Sequence, residues 1–238
     1  MIFYRQLQKI TAMSFDLDDT LYDNHPFILR AEQKLLAFLQ QHSPSDGATD
    51  TQYWRQHKLA VLDAHPQLHS DMGLLRRQTL TRGLAELGHK GHQLDQAVDD
   101  AFAFFYHQRS DFKVSSEVCK ILDSLAARLP LVAITNGNVN LNQIGIGDYF
   151  QKSFHASLAF PMKPASNMFN AAQHFLQRPA SEILHVGDDL QKDIQGAKQA
   201  GFSCAWYACN RTMCLKSEPV GLVPDIQLAS LDELRSLL

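Results

Sequence analysis

The chain has 238 residues, of which 45% are hydrophobic and 20% charged, and its formal net charge is −3. This length and composition predict a globular protein with a sizeable hydrophobic core and exclude a disordered chain. The near-neutral charge and the lack of a basic run disfavour nucleic acid as a partner.

The sequence also argues against a membrane protein and against a disulfide scaffold. The N-terminus has no apolar leader with a small-residue cleavage site, and no stretch approaches the roughly 20 apolar residues that a spanning helix needs. We interpret the cysteines as reduced thiols, although a metal site formed by the last three is a less favoured alternative. They are Cys119, Cys204, Cys209 and Cys214. We therefore expect a cytoplasmic protein, with a monomer as the default state.

The first predicted element is a short buried strand over residues 10–15, which ends at the acidic segment 16–20. Asn24 and Pro26 then mark a helix start, and the pattern stays helical to about residue 111. Apolar residues recur at helical spacing in three parts of this block. They are Ile28, Ala31, Leu35 and Leu39, then Leu80, Leu84 and Leu87, then Leu94, Val98, Ala101, Phe102 and Phe105.

Beyond this block, short apolar strands alternate with helices. Ser115 or Ser116 is predicted to cap a helix that ends before Pro130, and Ser230 with Glu233 forms a capping-box pattern before the last helix. Strands are predicted over residues 131–135, 182–186 and 202–207, with a helix over 166–176 between the first two.

This alternation predicts an α/β fold with a Rossmann-like parallel sheet, interrupted after its first strand by an all-α insertion. The predicted boundaries are residues 1–22 and 112–238 for the α/β part and residues 23–111 for the helical part. In open parallel sheets, ligands bind beyond the carboxyl ends of the strands. Candidate site residues are therefore sought at those ends.

Two acidic segments follow predicted strands. Asp16, Asp18 and Asp19 lie within four residues, and Asp188 and Asp189 follow the strand over 182–186. Carboxylates packed this closely repel one another, so the clusters indicate a counter-cation. Mg²⁺ fits, because it prefers hard oxygen ligands and is typically bound by a few carboxylates plus a substrate phosphate. Each segment by itself also suits an acidic turn.

Two further features are suited to phosphate. Thr135, Asn136 and Gly137 lie at the carboxyl end of the strand over 131–135, directly after LVAI, where a hydroxyl and loop amides can bind phosphate oxygens. Lys163 can neutralise phosphate charge. Taken singly, the first also reads as an Asn-Gly turn and the second as a solvated surface lysine.

In this order, the four features resemble the signature motifs of the haloacid dehalogenase superfamily. Those motifs are an Asp-x-Asp-x-Thr strand end, a Ser or Thr, a Lys, and an acidic strand end containing Gly-Asp. The helical insertion resembles the family's cap domain, which implies that the α/β part is the catalytic core. The segments FDLDDTLYDN, PLVAITNGN, GDYF and EILHVGDDL are similar to bacterial phosphatases that act on 5-amino-6-(5-phospho-D-ribitylamino)uracil in riboflavin biosynthesis.

The resemblance implies a catalytic role for each matching residue. Asp16 would be the nucleophile that forms an aspartyl-phosphate, and Asp18 the general acid and base. Asp16, Asp188 and the backbone carbonyl of Asp18 would bind Mg²⁺.

The remaining matches concern the phosphoryl group and its surroundings. Thr135, Asn136 and Lys163 would bind the phosphoryl group, with Lys163 also part of the catalytic set. Asp189 and Asp193 would organise metal-bound waters or orient Lys163, or else act as carboxylates at a helix start.

The expected partner is a small phosphorylated metabolite, with neither nucleic acid nor membrane involved. A broad-specificity sugar-phosphate or nucleotide phosphatase is the alternative to the flavin-precursor phosphatase. A phospho-Asp signalling module is disfavoured by Asp18 and by the long helical insertion. Asp18 likewise argues against a dehalogenase, whereas phosphotransfer to an alcohol stays open.

Overall fold

The structure is a computed structural model that describes residues 1–42, 50–218 and 221–238, and it divides into two compact units. One consists of Met1–Asn24, Lys113–Gly137 and Leu141–Leu238, and the other of His25–Phe112 and Asn138–Asn140. The unit boundaries thus fall within two residues of the predicted ones. The segment Asn138–Asn140 was predicted to belong to the α/β part. It belongs instead to the helical unit, where the Asn140 N–H donates to Ser110 Oγ over 3.0 Å.

Within its described residues, the helical unit contains four α-helices and one 3₁₀ turn, Pro66–Ser70. The helices are α1 (His25–His42), α2 (Thr51–Ala64), α3 (Met72–Glu86) and α4 (Gly91–Arg109). Aspartates cap two of them, since Asp50 accepts the Gln52 N–H and Asp71 accepts the Leu74 N–H.

Helix α4 packs against both α1 and α3, and α2 packs against α3. The three predicted apolar stripes supply the shared core, which confirms their helical spacing. The buried members of this core are Ala31, Leu35, Leu39, Leu80, Leu84, Val98, Ala101 and Phe105. A second cluster, of Val61, Leu68 and Leu75, joins α2 and α3 through the 3₁₀ turn.

The packing of α2 on α3 requires a glycine at position 83. A Cβ atom there would lie 2.3 Å from Trp54 Cζ3. We expect Gly83→Ala to destabilise the protein by about 1–3 kcal/mol, because the indole ring is rigid and the site has no spare volume. Gly73→Ala in the same helix is the control, since its Cβ would meet nothing closer than 3.5 Å. Urea unfolding of both variants measures the difference, and equal stability would contradict the packing argument.

The described residues of the α/β unit form a seven-stranded sheet in the order β1-β7-β6-β5-β2-β3-β4. Its strands are β1 (Ile2–Phe3), β2 (Ala12–Phe15), β3 (Leu131–Thr135), β4 (Lys152–His155), β5 (Ile183–Gly187), β6 (Ser203–Trp206) and β7 (Ile226–Gln227). Neighbours are parallel except β1 and β7. The four predicted strands are confirmed. The sequence analysis missed β1, β4 and β7, which lie at or next to the sheet edges and are too short or too polar for an apolar run.

Helices α5 (Ser116–Ala126), α6 (Asn167–Leu176) and α7 (Gly196–Gln199) connect the strands, and a π-helical turn, Leu190–Gln195, precedes α7. Ser115 caps α5 through the Val118 N–H, as one of the two predicted caps. The predicted capping box at Ser230 is wrong. The last element is a 3₁₀ helix whose cap residue makes no side-chain bond, and Glu233 instead accepts the Ala229 N–H over 2.8 Å.

The described part of the chain contains no helix long and apolar enough to cross a membrane. All four cysteines lie within the described residues and are free thiols, as predicted.

Candidate active site

The predicted site residues come from the carboxyl ends of neighbouring strands. Asp16 and Asp18 follow β2, Thr135 ends β3, and Asp188 follows β5. Strand β2 lies between β3 and β5, and the three are parallel. Their carboxyl ends therefore meet at one edge of the sheet. Lys163 reaches the same edge from the loop between β4 and α6.

Lys163 is the centre of a buried ion-pair cluster. Its ammonium nitrogen lies 2.7 Å from Asp16 Oδ1 and 2.6 Å from Asp193 Oδ1. The ammonium also donates to the carbonyl oxygen of Ile134 over 2.8 Å. Each of its three N–H groups thus has an acceptor, and its side chain is only 1% exposed. Screening by water is weak at such a site, so the positive charge acts strongly on both carboxylates.

Burial and charge compete in setting the pKa values of this cluster. Burial raises the pKa of Asp16 by more than Lys163 lowers it, and the Asp193 carboxylate raises it further. Burial also raises the pKa of Asp193, but Lys163 and His185 together hold that pKa below its usual range. Burial lowers the pKa of Lys163, yet the two carboxylates raise it above its usual value. The cluster therefore favours a further positive charge near Asp16.

Three carboxylates converge on one point beside Lys163. Asp16, Asp188 and Asp193 each offer one oxygen, and these oxygens lie within 4.8 Å of one another. Burial and the charge of Asp193 raise the pKa of Asp188 to about 6, although Arg211 opposes the shift. A raised pKa means that the ionised carboxylate is held at a free-energy cost, which a cation would relieve. A compact set of oxygen ligands fits Mg²⁺, so the residues present suit the predicted ion.

Asp18 lies over the turn that follows β3. A Cβ atom at Gly137 would lie 2.7 Å from Asp18 Oδ2, so a side chain there would displace the carboxylate. The other oxygen, Oδ1, accepts a 2.6 Å hydrogen bond from the Tyr22 hydroxyl. Asp18 is thus held beside the predicted phosphate-binding loop.

That loop holds its two predicted phosphate ligands differently. The Thr135 hydroxyl is buried and accepts the Gly137 N–H over 3.0 Å, which orients it at the end of β3. The Asn136 amide bonds to the main chain of Lys163, with its oxygen accepting the N–H over 2.7 Å and its nitrogen donating to the carbonyl over 3.2 Å. Both polar atoms of Asn136 have protein partners, so the geometry favours a role in holding the Lys163 loop.

Asp189 and Asp193 also differ in their surroundings. Asp189 Oδ1 accepts the N–H groups of Gln191 and Lys192, both over 2.9 Å, so this carboxylate caps the π-helical turn. The helix-start alternative is therefore the one that the structure favours for Asp189. Asp193 Oδ2 accepts the Asp189 N–H over 3.0 Å, while Oδ1 contacts Lys163. Asp193 is thus placed to orient Lys163.

The sequence analysis missed several contacts. His185 is fully buried, its Nε2 lies 3.3 Å from Asp193 Oδ1, and its Nδ1 lies 2.9 Å from Ser14 Oγ. Burial lowers the pKa of His185. Arg211 contacts Asp188 and had not been considered. Arg211 follows the carboxyl end of β6, and this position could have identified it, because the other site residues were identified from their positions at strand ends.

Comparisons with known proteins agree with the family resemblance found in the sequence. The family model for haloacid dehalogenase-like hydrolases matches residues 10–201. The 5-amino-6-(5-phospho-D-ribitylamino)uracil phosphatase YigB of Escherichia coli (strain K12) is 35% identical over 238 residues, which cover 100% of both chains. The pyrimidine 5'-nucleotidase YjjG of the same strain is 29% identical over 124 residues, covering 50% of this chain and 53% of that protein.

Among solved structures, the 2-haloacid dehalogenase from Pseudomonas syringae pv. Tomato DC3000 superposes with a TM-score of 0.86 at 30% identity. The match covers 96% of this chain and 97% of that one. Nearly the whole chain therefore has a counterpart in a solved structure.

Proposed function

The chain belongs to the haloacid dehalogenase-like hydrolases and is an enzyme, and we propose that it is a Mg²⁺-dependent phosphatase that acts through an aspartyl-phosphate on Asp16. We propose further that the α/β unit is the catalytic core and the helical unit its cap. Its free thiols suit a reducing compartment, so we propose that it acts in the cytoplasm.

The observation that carries this proposal is the position of Asp16. Its carboxylate lies at the end of β2, 2.7 Å from the Lys163 ammonium and within 4.8 Å of the ligand oxygen of Asp188. A nucleophilic carboxylate must approach an anionic phosphate, so positive charge around it is required. The buried Lys163 provides one such charge, and the carboxylate cluster provides the ligands for another.

In the first proposed step, one Asp16 oxygen attacks phosphorus while the bond from phosphorus to the ester oxygen breaks, and Asp18 gives its proton to the leaving oxygen. In the second step, Asp18 takes a proton from water as that water attacks phosphorus, and the bond from phosphorus to Asp16 breaks to release phosphate. The Thr135 hydroxyl and the charge of Lys163 stabilise the phosphoryl oxygens. When bound, Mg²⁺ would offset the negative charge on these oxygens. Asp16, Asp188 and the Asp18 carbonyl would hold the ion.

Asp18 supports a phosphatase over a dehalogenase. The 2-haloacid dehalogenase neighbour shows that this fold also accommodates carbon–halogen cleavage in another protein. A departing halide needs no proton, whereas an alkoxide does. The carboxyl group of Asp18, which Tyr22 holds beside the loop after β3, would donate that proton in its protonated form.

The proposed substrate is 5-amino-6-(5-phospho-D-ribitylamino)uracil, by similarity to YigB across the full length of both chains. The similarity to YjjG supports a wider set of nucleotide or sugar phosphates as the alternative. A panel of phosphate monoesters with this uracil derivative included, scored by kcat/KM, separates the two. A clear preference for the uracil derivative supports the first, and similar values across the panel support the second.

The reaction class has its own test. We expect hydrolysis of 4-nitrophenyl phosphate that EDTA abolishes and added Mg²⁺ restores, because the cation is required to offset charge at Asp16. Activity that is unchanged in EDTA would contradict the metal requirement. Absence of hydrolysis of every monoester, with Mg²⁺ present, would contradict the phosphatase itself.

Replacing Asp18 tests its role as acid and base. We expect Asp18→Asn to lower kcat by about 10²–10⁴-fold, the usual contribution of a positioned proton donor. In single-turnover assays the loss should be smaller for 4-nitrophenyl phosphate than for an alkyl phosphate, because nitrophenolate leaves without a proton. Tyr22→Phe is the control: it removes only the hydroxyl that contacts Asp18 and should have a smaller effect. Equal losses for the two substrates would argue against proton donation by Asp18.

A further inference from the structure

The side chain of Arg211 binds both the side chain and the main chain of Asp188. Nη1 of the guanidinium donates to Asp188 Oδ2 over 2.8 Å, and Nη2 donates to the Asp188 carbonyl oxygen over 2.7 Å. A rigid guanidinium fork that binds two acceptors on one residue restricts the rotation of that residue's carboxylate. Arg211 thereby holds the Asp188 carboxylate in one orientation, with Oδ2 directed at the guanidinium.

Glu218 holds the opposite side of the guanidinium. Its two oxygens lie 3.5 Å from Arg211 Nε and 3.3 Å from Nη2. Arg211 is thus fixed between two carboxylates, and Glu218 offsets its positive charge. That offset matters, because an uncompensated cation beside a metal ligand would repel a divalent ion.

The same loop also reaches the acidic segment after β2. The Cys209 N–H donates to the Asp19 carbonyl oxygen and the Asn210 amide donates to Asp19 Oδ1, both over 2.9 Å. Strand β6, which leads into this loop, pairs with β5 but not with β2. The loop therefore crosses the end of β5 to join the two strand ends that carry Asp16 and Asp188.

We propose that Arg211 is a positioning residue for Mg²⁺, which fixes the Asp188 carboxylate in the orientation that binds the ion and is itself held by Glu218. This inference rests on the Mg²⁺ site proposed above. Residues that orient metal ligands in this way typically contribute about 10–100-fold to metal affinity.

Charge and positioning predict opposite effects of mutation, which makes the proposal testable. If Arg211 acted only as a nearby positive charge, Arg211→Ala would tighten Mg²⁺ binding and Arg211→Lys would leave it unchanged. If Arg211 acts by positioning, Arg211→Ala weakens binding by about 10-fold or more. Arg211→Lys then weakens it by less, because a lysine keeps the charge but not the fork.

The experiment is calorimetric titration of the full-length, substrate-free protein with Mg²⁺ alone. Arg211→Ala, Arg211→Lys and Glu218→Gln are compared with Arg235→Ala, which removes an exposed Arg–Asp pair of 3.0 Å with Asp232. We expect weaker binding in the three site variants and an unchanged Kd in Arg235→Ala. The melting temperature in EDTA shows whether each variant is folded, and should Arg211→Ala be unfolded, the other two site variants carry the test.

The outcomes separate this inference from the proposed function. Wild-type protein that binds no Mg²⁺ would overturn the metal site and this inference together. Wild-type binding that is matched or exceeded by Arg211→Ala and Arg211→Lys would overturn only the role of Arg211.

Discussion

Asp16→Asn is expected to reduce kcat by about 10⁴-fold or more, the scale seen when an enzyme loses its nucleophile. The amide is close to the carboxylate in shape but is a poor nucleophile and cannot form the acyl phosphate. It also removes one negative charge from a buried cluster in which burial and Asp193 already raise the pKa of Asp16. The folded protein should therefore tolerate the change, and the loss should be in catalysis.

Steady-state assays with 4-nitrophenyl phosphate measure this effect, and mass spectrometry after rapid acid quench should detect a phosphorylated peptide containing residue 16 in the wild type only. Asp232→Asn is the control, because Asp232 is exposed and forms a 3.0 Å ion pair with Arg235 in the 3₁₀ helix. Turnover by Asp16→Asn near the wild-type rate would contradict the role of Asp16 as the nucleophile.

Lys163→Met is expected to have the largest effect on stability, about 3–5 kcal/mol of unfolding free energy in EDTA. The replacement is similar in length but leaves the Asp16 and Asp193 carboxylates buried without the ammonium that lies 2.7 Å and 2.6 Å from them. Removing one partner of a buried ion pair costs more than the pair itself contributes, because the remaining charge is desolvated. Added Mg²⁺ should recover part of the loss by restoring positive charge near Asp16.

Urea unfolding with and without Mg²⁺ measures this difference. Lys192→Met provides the comparison, since Lys192 pairs with Asp189 at 2.8 Å with 53% of its side chain exposed. Exposed pairs contribute about 0–1 kcal/mol, so this variant should resemble the wild type. Equal losses of unfolding free energy in the two lysine variants would contradict the claim that Lys163 stabilises the buried cluster.

The elements that could be predicted from the sequence are those with strong local polarity patterns. Apolar runs such as those of β2, β3 and β5 are short, uniformly buried and followed by polar residues, so their strand character and their carboxyl ends are readable. The helical stripes are equally readable, because 3.6-residue periodicity is maintained over several turns. Strand β4, with the sequence KSFH at the sheet edge, has no such pattern and exists because β3 supplies its hydrogen bonds.

The site residues likewise divide into those that a local pattern identifies and those that it does not. Asp16, Asp18, Thr135 and Asp188 were identified because each lies at the end of a readable strand. The contacts of His185 with Ser14 and of Arg211 with Asp188 were missed, because each joins residues from two different strands or strand ends. Asn136 was assigned to phosphate, yet its amide holds the main chain of Lys163, a pairing across 27 residues that no local pattern contains.

By itself, the sequence determined the fold class, the helical insertion and the set of acidic strand ends, because these are encoded in local polarity patterns and in residue types. Only the tertiary structure decided which charges lie next to one another: it placed Lys163 between Asp16 and Asp193, and Arg211 against Asp188. The physical reason is that ion pairing depends on distances set by strand order. The order β6-β5-β2-β3 brings together residues that are far apart in the chain.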